Sequence, residues 1–176
     1  MKDVKKLVLA ALFLALGMVL PFLTGQIPQV GGMLCPMHIP VLLCGFVCGW
    51  PWGLAVGAVL PLLRSLLFGM PPMMPTAAAM AFELAAYGAL AWVAYRWLKG
   101  CKGGVYAALL LAMLGGRAVW GVASFVIYSL MGRAFGWQVF LAGAFINAWP
   151  GIVLHLILIP PIVLALKKAK LTSVGA

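Results

Sequence analysis

Acidic side chains are almost absent from this sequence. Aspartate and glutamate together make up 2 of its 176 residues, Asp3 and Glu83. This shortage leaves little for a protease, a lipase or a two-metal site, which depend on carboxylates. The sequence also lacks the GxxxxGK[ST] phosphate loop, the HExxH pair and the GxSxG elbow. The chain is therefore predicted to bind or carry a molecule, with no catalytic residues, no metal site, no cofactor and no nucleotide hydrolysis of its own.

Charged residues of both signs are scarce, and apolar residues take their place. Only 8% of the residues are charged, against about 25% in ordinary soluble domains, while 66% are hydrophobic and the mean hydropathy is +1.17. Apolar segments extend along the whole chain. The composition predicts an all-α integral membrane protein in which residues 1–176 form a single membrane domain.

The apolar segments predict six transmembrane helices, since crossing about 30 Å of hydrocarbon takes about 20 residues in a helix. Proline and flanking glycines in the string GWPWG, residues 49–53, separate the second span from the third as a tight hairpin. The last span is long and contains Pro150, so a count of five stays open. The predicted spans are residues 5–23, 33–50, 52–68, 76–98, 104–131 and 137–166.

Lysine and arginine collect near the ends of these spans, and an excess of basic residues marks the cytoplasmic side. Six spans place both termini and nine of the twelve basic residues on that side, whereas five spans would put one cluster on the wrong face. The net charge of +10 therefore indicates anchoring in a bacterial-type plasma membrane and not a nucleic-acid surface. The outer loops are then residues 24–32, 69–75 and 132–136. The three basic clusters are Lys2, Lys5 and Lys6; Arg96, Lys99 and Lys102; and Lys167, Lys168 and Lys170.

Polar residues inside the spans mark the candidate functional site, because such residues are costly in hydrocarbon. At about 1.5 Å per residue, Arg64 lies roughly 6 Å and Glu83 roughly 10 Å below the outer surface, close enough in depth to pair. Arg117 and Asn147 lie deeper, at roughly 15 to 20 Å. The positions predict an outer ion pair that braces a gate and a deeper layer that contacts the ligand.

Helical spacing adds aromatic residues to this site. On the fourth span Glu83 and Tyr87 are one turn apart. His38 lies at the outer entrance of the second span, whereas His155 is interpreted as a packing residue towards the cytoplasmic side. A purely structural ion pair and aromatics that only pack are the open alternatives. One face of the fifth span carries Arg117, Trp120, Ser124 and Tyr128.

The charges also constrain the ligand. If Glu83 neutralises one arginine, the other keeps a positive charge at low dielectric constant, and a guanidinium binds a carboxylate through two parallel hydrogen bonds. The sequence therefore favours a carboxylate-bearing ligand over a cation. The four cysteines are interpreted as small membrane residues, since one helix supplies only two of the four ligands of a structural zinc site.

Several features together resemble one family. Ala11 and Ala15 form a small-xxx-small pattern on the first span, which lets another helix approach closely, although ordinary packing would explain it too. The six-span size, the short second span after a long outer loop, and the segments CPMHIPVLLCGFVCGW and LRSLLFGMPPMMPTAAAMAFELAAYG complete the set. On these features the whole chain resembles the substrate-binding S component of an energy-coupling factor (ECF) transporter, of the vitamin type.

The resemblance implies a protein that captures a vitamin or related nutrient from outside. It implies delivery to a transmembrane coupling protein with two ATPase subunits, which use the ATP, and it makes Ala11 and Ala15 the docking surface. The resemblance also makes loops 24–32 and 69–75 gates that close over the ligand pocket. Pantothenate is the favoured ligand because of its carboxylate, and pyridoxine or a modified base comes next.

Three other hypotheses about function follow from the same residues. The string Met37-His38-Ile39-Pro40 is similar to the opening of nickel and cobalt S components, but here it is internal, so a metal substrate is not expected. A small integral-membrane enzyme that uses Glu83 or a histidine is one alternative function. A stand-alone secondary carrier is another, disfavoured because the sequence shows no internal repeats.

Overall fold

The computed structural model describes residues 2–24 and 33–169, and every regular element within those ranges is helical. A 3₁₀ turn, Leu20–Thr24, continues the first helix, and wide π-type turns, Met73–Ala77 and Ala142–Ile146, precede α4 and follow α6. The predicted loop 24–32 lies, beyond its first residue, outside the described ranges. The helices are α1 (Lys2–Val19), α2 (His38–Cys48), α3 (Trp50–Phe68), α4 (Ala78–Leu98), α5 (Gly104–Leu130), α6 (Trp137–Leu141) and α7 (Trp149–Lys168).

In the described part of the chain, five helical stretches are long and apolar enough to cross a membrane, which confirms the prediction of an all-α multi-pass membrane protein. The predicted spans 52–68, 76–98 and 104–131 agree with α3, α4 and α5 to within two residues. The last stretch, Trp137–Lys168, combines α6, the π-type turn and α7. Sequence hydropathy thus located these spans correctly.

The predicted second span, 33–50, is a shorter element. Helix α2 has 11 residues, all of them buried, and is about 16 Å long, or half of the hydrocarbon thickness. It starts late because Cys35 has a positive φ of 48° and precedes Pro36, whose ring disfavours a helical conformation in the residue before it. The first residue of α2, His38, is therefore already inside the bundle. A count of six spans stays a prediction.

Helix α4 lies at the centre of the bundle and packs against α2, α3 and α5. Its backbone touches two other helices, since a Cβ at Gly88 would overlap the carbonyl of Gly53 in α3, and one at Gly45 in α2 would overlap the carbonyl of Gly88. Small residues permit such close approach in membranes, where the hydrophobic effect does not drive helices together. This Gly45–Gly53–Gly88 contact joins α2, α3 and α4, and the predicted tight hairpin at Gly49 is confirmed.

A shared cavity and a hydrogen bond show which helix ends lie together. Lys6 of α1 and Trp92 of α4 line one cavity of about 320 Å³. Lys167 near the end of α7 donates to the hydroxyl of Tyr95, at 3.1 Å, close to the end of α4. The start of α1 and the end of α7 therefore lie at the same end of the bundle.

Candidate functional site

Five buried side chains from four helices form the main concentration of polar groups. Glu83 and Tyr87 are 1% exposed, His38 and His155 are 2% exposed, and Arg117 is 8% exposed. Together with Cys35, which precedes α2, we refer to them as the polar cluster. Buried polar groups in a membrane domain have no access to solvent, so each needs a partner from the protein or from a ligand.

An ion pair between α4 and α5 is the centre of the polar cluster. The Arg117 Nη1 atom lies 2.9 Å from Glu83 Oε1, and His38 Nε2 lies 3.6 Å from the same oxygen. Tyr87 lies beside the Glu83 carboxylate, one turn further along α4. The close fit of α5 follows from Gly116, where any Cβ would overlap the Tyr87 ring. The single buried carboxylate is thus neutralised by the deeper arginine.

The predicted pair of Arg64 with Glu83 is wrong. Arg64 is 3% exposed, but its Nη1 donates to the backbone carbonyl of Met18 in α1. Its guanidinium lies 5.0 Å from the ring centroid of Phe22 and 5.3 Å from that of Phe68. Arg64 faces α1, whereas Glu83 faces α5 and lies near the level of Gly57, which contacts the backbone of Leu84.

Arg117, which the predicted Arg64–Glu83 pair would have left without a carboxylate, is paired with Glu83 but uses only part of its guanidinium. Nη1 is paired with Glu83, and Nη2 has the Cys35 Sγ atom at 3.7 Å, which is a weak acceptor. Nε is buried and has no hydrogen-bond partner in the described part of the chain. Nε and Nη2 form one edge of the guanidinium, the edge that a carboxylate can bind with two parallel hydrogen bonds.

His155 belongs to the polar cluster, which sequence reasoning missed. Its ring centroid lies 6.0 Å from that of His38, and His38 packs edge-on against Tyr87 at 5.1 Å. The sequence placed His155 too near the cytoplasmic side because residues 142–148 were counted as regular helix. They form a π-type turn and an irregular connection before α7, so the chain advances less there. Pro150, in the first turn of α7, is the sequence signal of that break.

Cys35 is the other member that the sequence did not indicate. Its positive φ is unfavourable for a side chain with a Cβ, and such strain often lies at functional sites. Its carbonyl accepts from the backbone N–H of His38 at 3.0 Å, and its backbone lies beside the His155 ring. Cys35 therefore joins the segment before α2 to α5 and α7.

Three predicted ligand contacts lie away from the polar cluster. Trp120 stacks on Phe140 with a centroid distance of 6.1 Å, and Tyr128 lies 5.3 Å from Phe135, so both join α5 to the segment of α6. Asn147 is exposed, in the connection before α7. The structure does not bring these residues to Arg117, and their contact with a ligand stays a prediction.

Ala11 and Ala15 lie on the exposed face of α1, beside Leu12 and Leu16. In the described ranges, no group of three or more His, Cys, Asp or Glu side chains is arranged to hold a metal ion. The polar cluster offers hydrogen-bond donors and an ion pair, which suits binding of a polar molecule.

The chain matches the family described as ECF transporter, substrate-specific component, over residues 5–163. No curated protein and no solved structure matches it. Members of this family bind small-molecule substrates for transport, associate with a transmembrane component and ATPases, and are not enzymes. The resemblance to vitamin-type members stays a prediction. Because the match extends over most of its length, the chain belongs to the ECF transporter substrate-specific component family and is a multi-pass membrane protein that binds a substrate for import.

Proposed function

We propose that the chain captures a carboxylate-bearing, vitamin-like molecule from outside the cell and that the polar cluster holds it. Pantothenate is the first candidate, because it combines a carboxylate with hydroxyl and amide groups. Pyridoxine, which has no carboxylate, or a modified base comes next, as the alternative to this ligand class. The proposed ligand contacts are Arg117, His38 and Tyr87, with Glu83 holding Arg117 in position.

One observation supports this proposal above the others, the open Nε–Nη2 edge of Arg117. A buried donor without a partner costs about 1–3 kcal/mol, so a protein rarely keeps one without a use. Glu83 takes only Nη1 and thereby fixes the guanidinium, while the edge that fits a carboxylate holds a thiol at 3.7 Å and nothing on Nε. A ligand carboxylate in place of the thiol would satisfy both donors.

The proposed topology has six membrane segments with both termini in the cytoplasm of a bacterial-type cell. The shared position of the start of α1 and the end of α7 supports an even number of crossings. The basic clusters near 2–6, 96–102 and 167–170 favour the cytoplasm for that end. Helix α2 then supplies the second crossing together with the segment that precedes it.

For partners, we propose the transmembrane coupling protein and two ATPase subunits of an ECF module, with the exposed face of α1 around Ala11 and Ala15 as the docking surface. The ATPases would use the ATP, since this chain has no phosphate loop. We propose no cofactor for the chain itself. A stand-alone carrier is the alternative. Uptake by the purified chain in vesicles, driven by an ion gradient alone, would favour that alternative.

The test begins with the purified protein. Whatever small molecule accompanies it is released and identified by mass spectrometry, and its binding to the chain is then measured, with pantothenate in parallel. We expect Arg117→Lys to weaken binding by tenfold or more, about 1.4 kcal/mol. The lysine ammonium can still pair with Glu83, but it cannot donate two parallel hydrogen bonds to a ligand carboxylate as a guanidinium edge can.

Arg117→Ala is expected to weaken binding at least as much. Arg64→Lys is the matched control, because Arg64 lies outside the polar cluster and its affinity should change less than about threefold. Unchanged affinity in a folded Arg117→Lys protein would remove the guanidinium edge from the proposal.

A further inference from the structure

The charge of the polar cluster is balanced before a carboxylate ligand arrives. The chain has only two acidic residues, and the second, Asp3, lies at the start of α1. Glu83 is paired with Arg117, and Arg64 is committed to the Met18 carbonyl. A ligand carboxylate would therefore leave one uncompensated negative charge inside the bundle, which is costly at low dielectric constant.

The two histidines are the groups that can supply the missing positive charge. His38 Nδ1, His38 Nε2 and His155 Nε2 are buried and have no hydrogen-bond partner in ranges 2–24 and 33–169. His155 lies beside the Cys35 backbone, and its Nε2 atom is one of these three buried nitrogens.

A neutral imidazole carries a lone pair on one ring nitrogen, and a lone pair is the wrong partner for a carboxylate, because a carboxylate only accepts hydrogen bonds. Arg117 Nη1 and His38 Nε2 lie 2.9 Å and 3.6 Å from the same Glu83 oxygen, so a carboxylate on the Nε–Nη2 edge of Arg117 would lie beside the histidine pair. Only a protonated imidazole can donate from both ring nitrogens at once. The same proton would restore the charge balance.

We infer that capture of the ligand takes up one proton from the solvent onto the His38–His155 pair, an inference that rests on the proposed function. An imidazole and a proton become an imidazolium, and no bond of the ligand is formed or broken. The pair takes one proton and not two, because its ring centroids are 6.0 Å apart and two buried positive charges would repel each other.

Groups from every neighbouring element face this pair. Glu83 and Tyr87 of α4 face His38, with the Glu83 oxygen at 3.6 Å and the Tyr87 ring at 5.1 Å. Arg117 of α5 already neutralises Glu83, so without a further anion an imidazolium there would be an uncompensated charge. Cys35 contacts His155 through its backbone. A ligand carboxylate adds a second negative charge beside that of Glu83, and this charge makes the proton favourable.

Calorimetry of pantothenate binding at pH 7.5, in buffers with different ionisation enthalpies, measures the protons taken up. We expect uptake approaching one proton for the unsubstituted protein and none for panthenol, the alcohol analogue that lacks the carboxylate. The pantothenate affinity should weaken as the pH rises from about 6 to 8, by up to tenfold per pH unit, because proton uptake couples binding to pH. The panthenol affinity should stay flat.

His38→Gln and His155→Gln keep the size and polarity of the side chains, and the double variant should abolish proton uptake and the pH dependence. Pantothenate binding without proton uptake, or uptake unchanged in a folded double variant, overturns this inference and leaves the proposed function standing. Biotin and nicotinate serve as further carboxylate probes. Failure of all three carboxylates to bind overturns the proposed ligand class and this inference together.

Discussion

The positive charge of Arg64 is stabilised by a backbone carbonyl and aromatic rings, without a carboxylate partner. Its guanidinium donates to the Met18 carbonyl, near the end of α1, and lies against two phenyl rings. Arg64 thereby joins the end of α1 to α3.

Arg64→Leu is therefore expected to lower the melting temperature and to leave the affinity for pantothenate within about threefold. A hydrogen bond from a charged donor contributes about 1.5–3 kcal/mol, and stacking on a ring adds about 0.5–1 kcal/mol or more. Arg64→Lys retains a donor but not the planar group, so its loss should be intermediate. Melting of the detergent-solubilised protein checks both variants. A melting temperature unchanged in Arg64→Leu would contradict the structural role, and a tenfold loss of affinity would return Arg64 to the ligand site.

Four members of the polar cluster could be predicted from the sequence, because a polar residue stands out in an apolar span. Their partners could not. Residue counts give only an approximate depth for a side chain, and the direction in which it points depends on the rotation of each helix, which is set by packing between helices. A single sequence therefore could not decide whether Arg64 or Arg117 pairs with Glu83.

At the scale of helices, the regular spans were predictable and the irregular ones were not. Hydropathy located α3, α4 and α5 because each is an uninterrupted helix of 19 to 27 residues. It failed around Cys35 and residues 142–148, where the backbone leaves the helix inside an apolar segment. These two places position Cys35 and His155, the two members of the polar cluster that the sequence did not indicate.

The Gly45–Gly53–Gly88 contact determines how closely α2, α3 and α4 approach. Gly88→Ala is expected to destabilise the protein by about 1–3 kcal/mol, because its Cβ would overlap the backbone of Gly53, which cannot move aside as a flexible side chain can. Gly88→Leu should prevent folding. Gly100→Ala is the control, since no atom lies within 4 Å of its added Cβ. Size-exclusion profiles and melting temperatures in detergent measure the effect. A monodisperse Gly88→Leu protein with normal stability would contradict the tight contact.

The bundle exposes apolar side chains on most of its surface, as a membrane protein must. Helix α1 is less buried than the central helices. Only 22% of its apolar window is buried, compared with 50% for the stretch that contains α4. Its exposed face combines the small residues Ala11 and Ala15 with Leu12 and Leu16. Such a face allows the backbone of another helix to approach closely, whereas lipid chains gain nothing from small residues.

Docking through α1 predicts that a large side chain on this face separates partner binding from ligand binding. Ala11→Trp and Ala15→Trp should each reduce co-purification with the coupling protein and its ATPases by tenfold or more, because an indole would hold the helices apart. Affinity for pantothenate should stay within about threefold, since neither residue contacts the polar cluster. Val122→Trp is the control: Val122 is 67% exposed on α5, so the variant adds the same side chain to a different membrane-facing surface. If both alanine variants co-purify normally, or if Val122→Trp is equally defective, the face of α1 is not the docking surface.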